Sequence, residues 1–215
     1  MKFDPDLLKE VPVLGIVRGI PETSLAGVFD SARDAGLKFL EITLNTDNAL
    51  SLIAAASQRY ENTLCIGAGT VLTCSQAEQA ASAGARFLVS PTLNREVAAF
   101  CRERNYPYFP GALTPTEIEQ AWKAGATMVK VFPASQLGPQ YFREIKGPFG
   151  DTPLMAVGGV TSDNIPDYFS AGASAVAVGG SVFSKTRMVI GEYSKIHNHL
   201  KEILLAVKNF LHTME

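Results

Sequence analysis

The chain has 215 residues, 47% apolar and 19% charged, with a formal net charge of −2, so one well-buried domain over residues 1–215 is expected. Lysine and arginine are scattered, with no basic run longer than two, which argues against the positive stripe that a nucleic-acid surface needs. No apolar run approaches the roughly 20 residues that cross a bilayer, and acids stand near the N-terminus where a secretory leader is basic.

From the first residues onward, short apolar or β-branched runs alternate with longer helical patterns. Asp4–Glu10 reads as a short helix closing one end of the fold, followed by a strand over Val13–Val17 and a helix over Glu22–Ala35. Strands are then predicted at Phe39–Thr43, Leu64–Ala68, Phe87–Ser90, Tyr108–Pro110, Met128–Phe132, Leu154–Val157 and Ala175–Val178. Between them, helices are predicted at Ala49–Gln58, Ser75–Ala83, Arg95–Arg104, Thr116–Ala124, Gln140–Ile145 and Asn164–Ala171, with a longer one at Glu192–His212. Ser75 and Thr116 each precede Glu or Gln in a first turn and serve as start signals.

Four helices end in a repeated pattern, Asp34-Ala-Gly36, Ser82-Ala-Gly84, Lys123-Ala-Gly125 and Ser170-Ala-Gly172, each just before the next strand. Glycine there supplies a left-handed cap and a sharp return. Eight strands in this rhythm argue for a closed (β/α)8 barrel with a short N-terminal helix, although an open doubly wound sheet shares the alternation.

The three histidines, His197, His199 and His212, all lie in the C-terminal tail. No imidazole is left in the body to converge on a metal, so chemistry is expected from lysine, carboxylate, hydroxyl and backbone groups. Cys65, Cys74 and Cys101 form no CxxC pair and read as reduced thiols, which points to the cytoplasm.

A barrel places its active site at the C-terminal ends of its strands. In the Met128–Phe132 strand, Met128, Lys130 and Phe132 share one face, while Val129 and Val131 suit the helix layer. Lys130 therefore points into the barrel, where desolvation favours the neutral amine that a carbonyl-capturing nucleophile needs. A lysine snorkelling from a strand end, or one paired with a carboxylate, fits the same pattern. Glu41 projects inward from the Phe39–Thr43 strand and can shuttle protons, or can form a plain ion pair with Lys130 or Arg18.

Glycine pairs end the seventh and eighth predicted strands, at Gly158-Gly159 and Gly179-Gly180-Ser181. Barrels commonly receive a phosphate on the backbone N–H groups of those two loops. Gly67-Ala-Gly69-Thr70 ends the third strand and offers the Thr70 hydroxyl and N–H to a carboxylate, or is simply a tight turn. Arg18, just past the first strand, is a cation at the same rim, or merely a solvated one.

These segments, together with Ser90-Pro91, Phe109-Pro-Gly111 and Val129-Lys-Val-Phe-Pro-Ala134, resemble the 2-keto-3-deoxy-6-phosphogluconate aldolase family, which includes 6-phosphogalactonate and 4-hydroxy-2-oxoglutarate aldolases. The resemblance runs in order from about Val13 to Phe183. It implies that Lys130 forms a Schiff base and Glu41 is the general acid/base. It places the pyruvyl carboxylate on Thr70 and the phosphate on Gly159, Gly180 and Ser181, with Arg18, Pro91, Phe132, Val157 and Gly158 as further substrate contacts. It also implies a homotrimer that binds pyruvate and a phosphorylated 2-keto acid and needs neither metal nor organic cofactor. Two departures bear on the substrate. Asn45 stands where the gluconate branch carries arginine, and Val157 where it carries threonine; with Arg18, these resemble the galactonate branch. Other readings of the same loops are a phosphate-binding barrel isomerase or epimerase, or a non-catalytic phospho-ligand barrel. The first needs no inward lysine and wants inward histidines.

Overall fold

The computed structural model describes residues 1–213, so residues 214 and 215 of the expected domain lie outside the described residues. The strands are β1 Val13–Val17, β2 Phe39–Thr43, β3 Cys65–Gly69, β4 Leu88–Val89, β6 Val129–Val131, β7 Leu154–Val157 and β8 Ala175–Val178. The fifth, β5, comes as two segments, Tyr108–Phe109 and Gly111–Ala112, separated by Pro110, which has no N–H to give to a ladder. One sheet runs from the first segment of β5 through β4, β3, β2, β1, β8, β7 and β6 to the second segment of β5. Every strand pairing is parallel, and β5 closes the ring through Leu88 opposite Tyr108 on one side and Gly111 opposite Lys130 on the other. The fold is the expected (β/α)8 barrel.

The helices are α1 Pro5–Glu10, α2 Leu25–Ala35, α3 Ala49–Arg59, α4 Cys74–Ser82, α5 Arg95–Glu103, α6 Pro115–Lys123, α7 Ala134–Lys146, α8 Ile165–Ser170, α9 Lys185–Ile190 and α10 Tyr193–His212. The repeated glycines are left-handed as expected, with φ of 103° at Gly36, 99° at Gly84, 93° at Gly125 and 96° at Gly172. Two start signals need correction. The caps are Thr73, which accepts from the Gln76 N–H, and Thr114, which forms a full capping box with Glu117. Ser75 and Thr116 sit two residues inside, because the earlier threonines already adopt the extended cap conformation and leave the orphan N–H groups to be met there.

Two further differences lie in the loops after β6 and β8. Helix α7 begins at Ala134 rather than Gln140 and is broken at Gly138, whose φ of 69° and ψ of 178° are not helical, just before Pro139. Helix α9 is not among the predicted elements; six residues carry too little periodicity, and its signals are the Ser184 cap and the left-handed Gly191 at its end.

The alternation within each strand separates two cores. Val129, Val131, Leu40 and Ile42 belong to the layer between sheet and helices, whereas Phe39, Phe87, Phe109, Met128 and Met155 fill the barrel itself. Phe3, just before α1, plugs the N-terminal end of the barrel with its ring centroid 5.4 Å from Phe39, 5.8 Å from Phe109 and 6.1 Å from Phe87. The apolar filling stops part-way up, and the other end of the barrel is where the polar side chains stand.

Candidate active site

Glu41 and Lys130 occupy the inward positions that the alternation assigns them, 1% and 8% exposed. They are not a close ion pair: among the described residues neither takes part in a salt bridge. Oε2 of Glu41 is buried with no hydrogen-bond partner, a costly arrangement for a structural carboxylate and a useful one for a group that must accept a substrate hydrogen bond. Burial raises the Glu41 carboxyl to about 7, against the opposing pull of Lys130 and Arg18. Burial likewise lowers the Lys130 ammonium, with Glu41 opposing and Arg18 assisting. A lysine pushed by burial towards its neutral form and a carboxyl titrating near neutrality thus share one buried site.

The surrounding backbone is shaped to admit them. A Cβ built on Gly69 would lie 2.2 Å from Oε1 of Glu41, so only glycine leaves room for the carboxyl at the end of β3. Thr70 follows at φ 57°, a left-handed conformation that a β-branched residue rarely holds. The turn beneath it is braced by Ser90, whose hydroxyl donates to the Val71 carbonyl at 2.6 Å and accepts from the Tyr108 hydroxyl at 3.0 Å. Across the barrel, Gly111 pairs in register with Lys130, and a Cβ there would lie 2.0 Å from the Pro91 carbonyl oxygen. Pro91 is therefore pressed against the strand beside the lysine.

A cavity of about 850 Å³ opens next to this pair, over the ends of β1, β7 and β8. It gathers Arg18, Phe132, Val157, Gly158, Gly159, Gly180 and Ser181 from the predicted set. Lys130, Glu41, Thr70 and Pro91 do not line it directly. The connection is Phe132, whose ring centroid lies 5.2 Å from the Lys130 Nζ. Gly158 and Gly159 are left-handed, and their carbonyls turn outward to accept from the Ser135 N–H and the Asn164 side chain. Among the described residues the N–H groups of Gly159, Gly180 and Ser181 donate to no protein acceptor. Unpaired backbone N–H groups of this kind are what an anion-binding loop needs. Arg18 is placed by the Gly19 N–H, which donates to the Thr46 hydroxyl at 2.9 Å, itself 3.2 Å from the Thr43 hydroxyl on the inward face of β2.

The sequence reading did not single out Thr161, Ser184 or Lys185, which also line the cavity. Their available signal is position alone, since each falls within five residues of one of the two glycine pairs. Among the described residues no cluster of three or more His, Cys, Asp or Glu side chains forms, and no helix is long and apolar enough to cross a membrane.

Comparison with known proteins agrees with this geometry. The family model for aldolases of the KDPG and KHG type matches residues 5–199. A probable 2-dehydro-3-deoxy-6-phosphogalactonate aldolase of Rhizobium meliloti is 36% identical over 175 residues, 81% of this chain and 82% of that protein. A 2-dehydro-3-deoxy-phosphogluconate aldolase of Treponema pallidum is also 36% identical, over 188 residues, 84% of this chain and 89% of its own length. Among solved structures, one named native KDPGal superposes with a TM-score of 0.90 at 28% identity, covering 99% of this chain and 100% of that one. With its catalytic-end geometry and its sequence in agreement over nearly the whole barrel, this chain belongs to the KDPG and KHG aldolase family.

Proposed function

We propose that the protein is a Schiff-base aldolase that cleaves 2-keto-3-deoxy-6-phosphogluconate or its galactonate epimer to pyruvate and glyceraldehyde 3-phosphate. One observation carries the reading: a lysine and a carboxyl, both buried at the C-terminal end of the barrel beside the glycine-lined cavity, form no ion pair with each other, burial lowering the pKa of the first and raising that of the second. An isomerase or a plain binding barrel has no use for that lysine.

The steps follow from the residues. The neutral Lys130 amine attacks the C2 ketone, and loss of water leaves an iminium. Thr70 and its N–H hold the carboxylate of the 2-keto acid, with Pro91 and Phe132 packed around the reacting carbons. Ionised Glu41 takes the C4 hydroxyl proton, the C3–C4 bond breaks, and its electron pair moves into the iminium to give an enamine. The aldehyde leaves with its phosphate on Gly159, Gly180 and Ser181. Glu41 returns a proton to C3, and water releases pyruvate and the free amine.

For the C4 epimer we infer galactonate, because Val157 presents methyl groups, 3% exposed, at the end of β7 where a hydroxyl would otherwise favour one epimer. The unphosphorylated 4-hydroxy-2-oxoglutarate is a second substrate of the same chemistry. The chain is read as one barrel domain without metal or organic cofactor, working in a reducing cytoplasm. Family membership supports a homotrimer, and Leu72, Leu113 and Leu137 are exposed apolar side chains that an assembly would cover. Pyruvate release from the two epimers, coupled to lactate dehydrogenase, tests the substrate reading. Faster release from the galactonate epimer is expected; faster release from the gluconate epimer overturns the role given to Val157, and no release from either overturns the function.

A further inference from the structure

The cavity above the glycine pairs is charged in one sense only. Arg18 and Lys185 line it, and no carboxylate does. Among the described residues Lys185 takes part in no salt bridge, unlike Lys9, Lys123 and Lys195, each of which has an acidic partner three or four residues away. Its stem also has a defined course. A Cβ on Gly19 would lie 3.7 Å from Cδ and 4.0 Å from Cε of Lys185, so the aliphatic chain crosses the residue next to Arg18. Gly19 itself is left-handed, with φ of 65°, and its N–H donates to the Thr46 hydroxyl.

The main chain leading from the cradle to Lys185 is pinned as well. Arg187 donates to the carbonyl of Ser181 at 2.6 Å and to that of Val182 at 3.3 Å, and its own N–H caps onto the Ser184 hydroxyl. These bonds fix the short turn that carries the chain from Ser181 to Lys185 at the rim of the same cavity. A dianionic group seated on the N–H groups of Gly159, Gly180 and Ser181 would thus meet a cation that nothing inside the protein neutralises.

We propose that Lys185 binds the phosphate of the substrate directly and makes the cavity selective for phosphorylated 2-keto acids over their unphosphorylated counterparts. This deepens the function proposed above and rests on it for the identity of the substrate. Exposure of the ammonium keeps its contribution modest. A single charge-assisted hydrogen bond of this kind corresponds to a change on the order of 10-fold in affinity.

The test uses two readouts on the full chain, with Lys185→Gln and the charge-conserving Lys185→Arg. Glycerol 3-phosphate serves as a probe of the phosphate end, followed by calorimetry at low and moderate salt. Lys185→Gln is expected to weaken its binding on the order of 10-fold and to flatten the salt dependence, with Lys185→Arg restoring most of both. In steady-state assays the same variant should raise KM for the phosphorylated substrate with little change in kcat, and should barely alter cleavage of 4-hydroxy-2-oxoglutarate. Equal binding of glycerol 3-phosphate by the wild type and Lys185→Gln overturns the inference, as does an equal loss on phosphorylated and unphosphorylated substrates. A wild-type chain that binds the probe through Lys185 yet never exchanges the methyl protons of pyruvate would leave this inference standing and overturn the aldolase reading.

Discussion

The two ends of the barrel interior are built on opposite principles. At the N-terminal ends of the strands, Phe3, Phe39, Phe87, Phe109, Met128 and Met155 interlock, with Phe87 and Phe109 meeting edge to face at a 5.8 Å centroid separation. The side chains that fill this end are apolar. At the C-terminal ends, a few residues further along the same strands, stand a buried lysine, a buried carboxyl with an unpartnered oxygen, a left-handed threonine and left-handed glycines. A side chain chosen for stability alone would fill these positions with methyl groups. The contrast shows where the fold draws its stability and where it gives some up to keep reactive groups desolvated.

Exchanging a residue in each half should separate the two roles. The largest effect is expected from Glu41→Gln, which keeps the shape of the side chain but removes the base. Cleavage should fall by roughly 10²–10⁴-fold, measured as pyruvate release. The same change should stabilise the protein above neutral pH. The carboxyl rises from 4.5 to about 7 on folding, which corresponds to about 3 kcal/mol held against the ionised form. Because the folded value is the raised one, the buried acid favours the folded state below pH 4.5, and that advantage is lost as pH climbs through about 7. Thermal melting of Glu41→Gln and wild type should therefore diverge at pH 8 and converge towards pH 5. Equal melting curves at pH 8 would mean that the carboxyl is not desolvated.

The pH profile of the wild type sharpens the same point. The base must be ionised and the amine neutral, so kcat/KM should fall as pH drops below about 7, with the limb following Glu41. A profile flat down to pH 5 would assign the proton transfer elsewhere.

At the other end, Phe87→Ala should leave a cavity and cost about 3–5 kcal/mol, or a fall of roughly 6–20 °C in Tm for a chain of this size. Turnover per folded molecule, assayed well below the transition, should change far less than in Glu41→Gln. A loss of turnover as large as that of the glutamate variant would break the separation between the two ends.

Much of this division was legible in the sequence, and the reason is periodicity. In a strand every second residue faces the same way, so Lys130 between Val129 and Val131, and Glu41 between Leu40 and Ile42, are assigned to the inward face. The alternatives of a snorkelling lysine and a plain ion pair needed the structure to decide. The four Ala-Gly returns were equally plain, since the left-handed cap favours one residue type. Less was visible where a short segment lacks a period. Helix α9 and the Ala134 start of α7 sit in loops where one or two residues decide the backbone, and the caps at Thr73 and Thr114 compete with neighbouring hydroxyls of the same chemistry. Lys185 was hidden for a related reason. An exposed lysine says nothing by its type, and its place beside Arg18 arises only when β1 and β8 become neighbours in the closed barrel.

The central claim is covalent, and one measurement addresses it directly. The protein is incubated with pyruvate and reduced with borohydride, then digested and mapped by mass spectrometry, with Lys130→Met as the control. The account predicts a stable adduct on Lys130 in the wild type and none in the variant. An adduct on another lysine, or the same labelling in Lys130→Met, would contradict it.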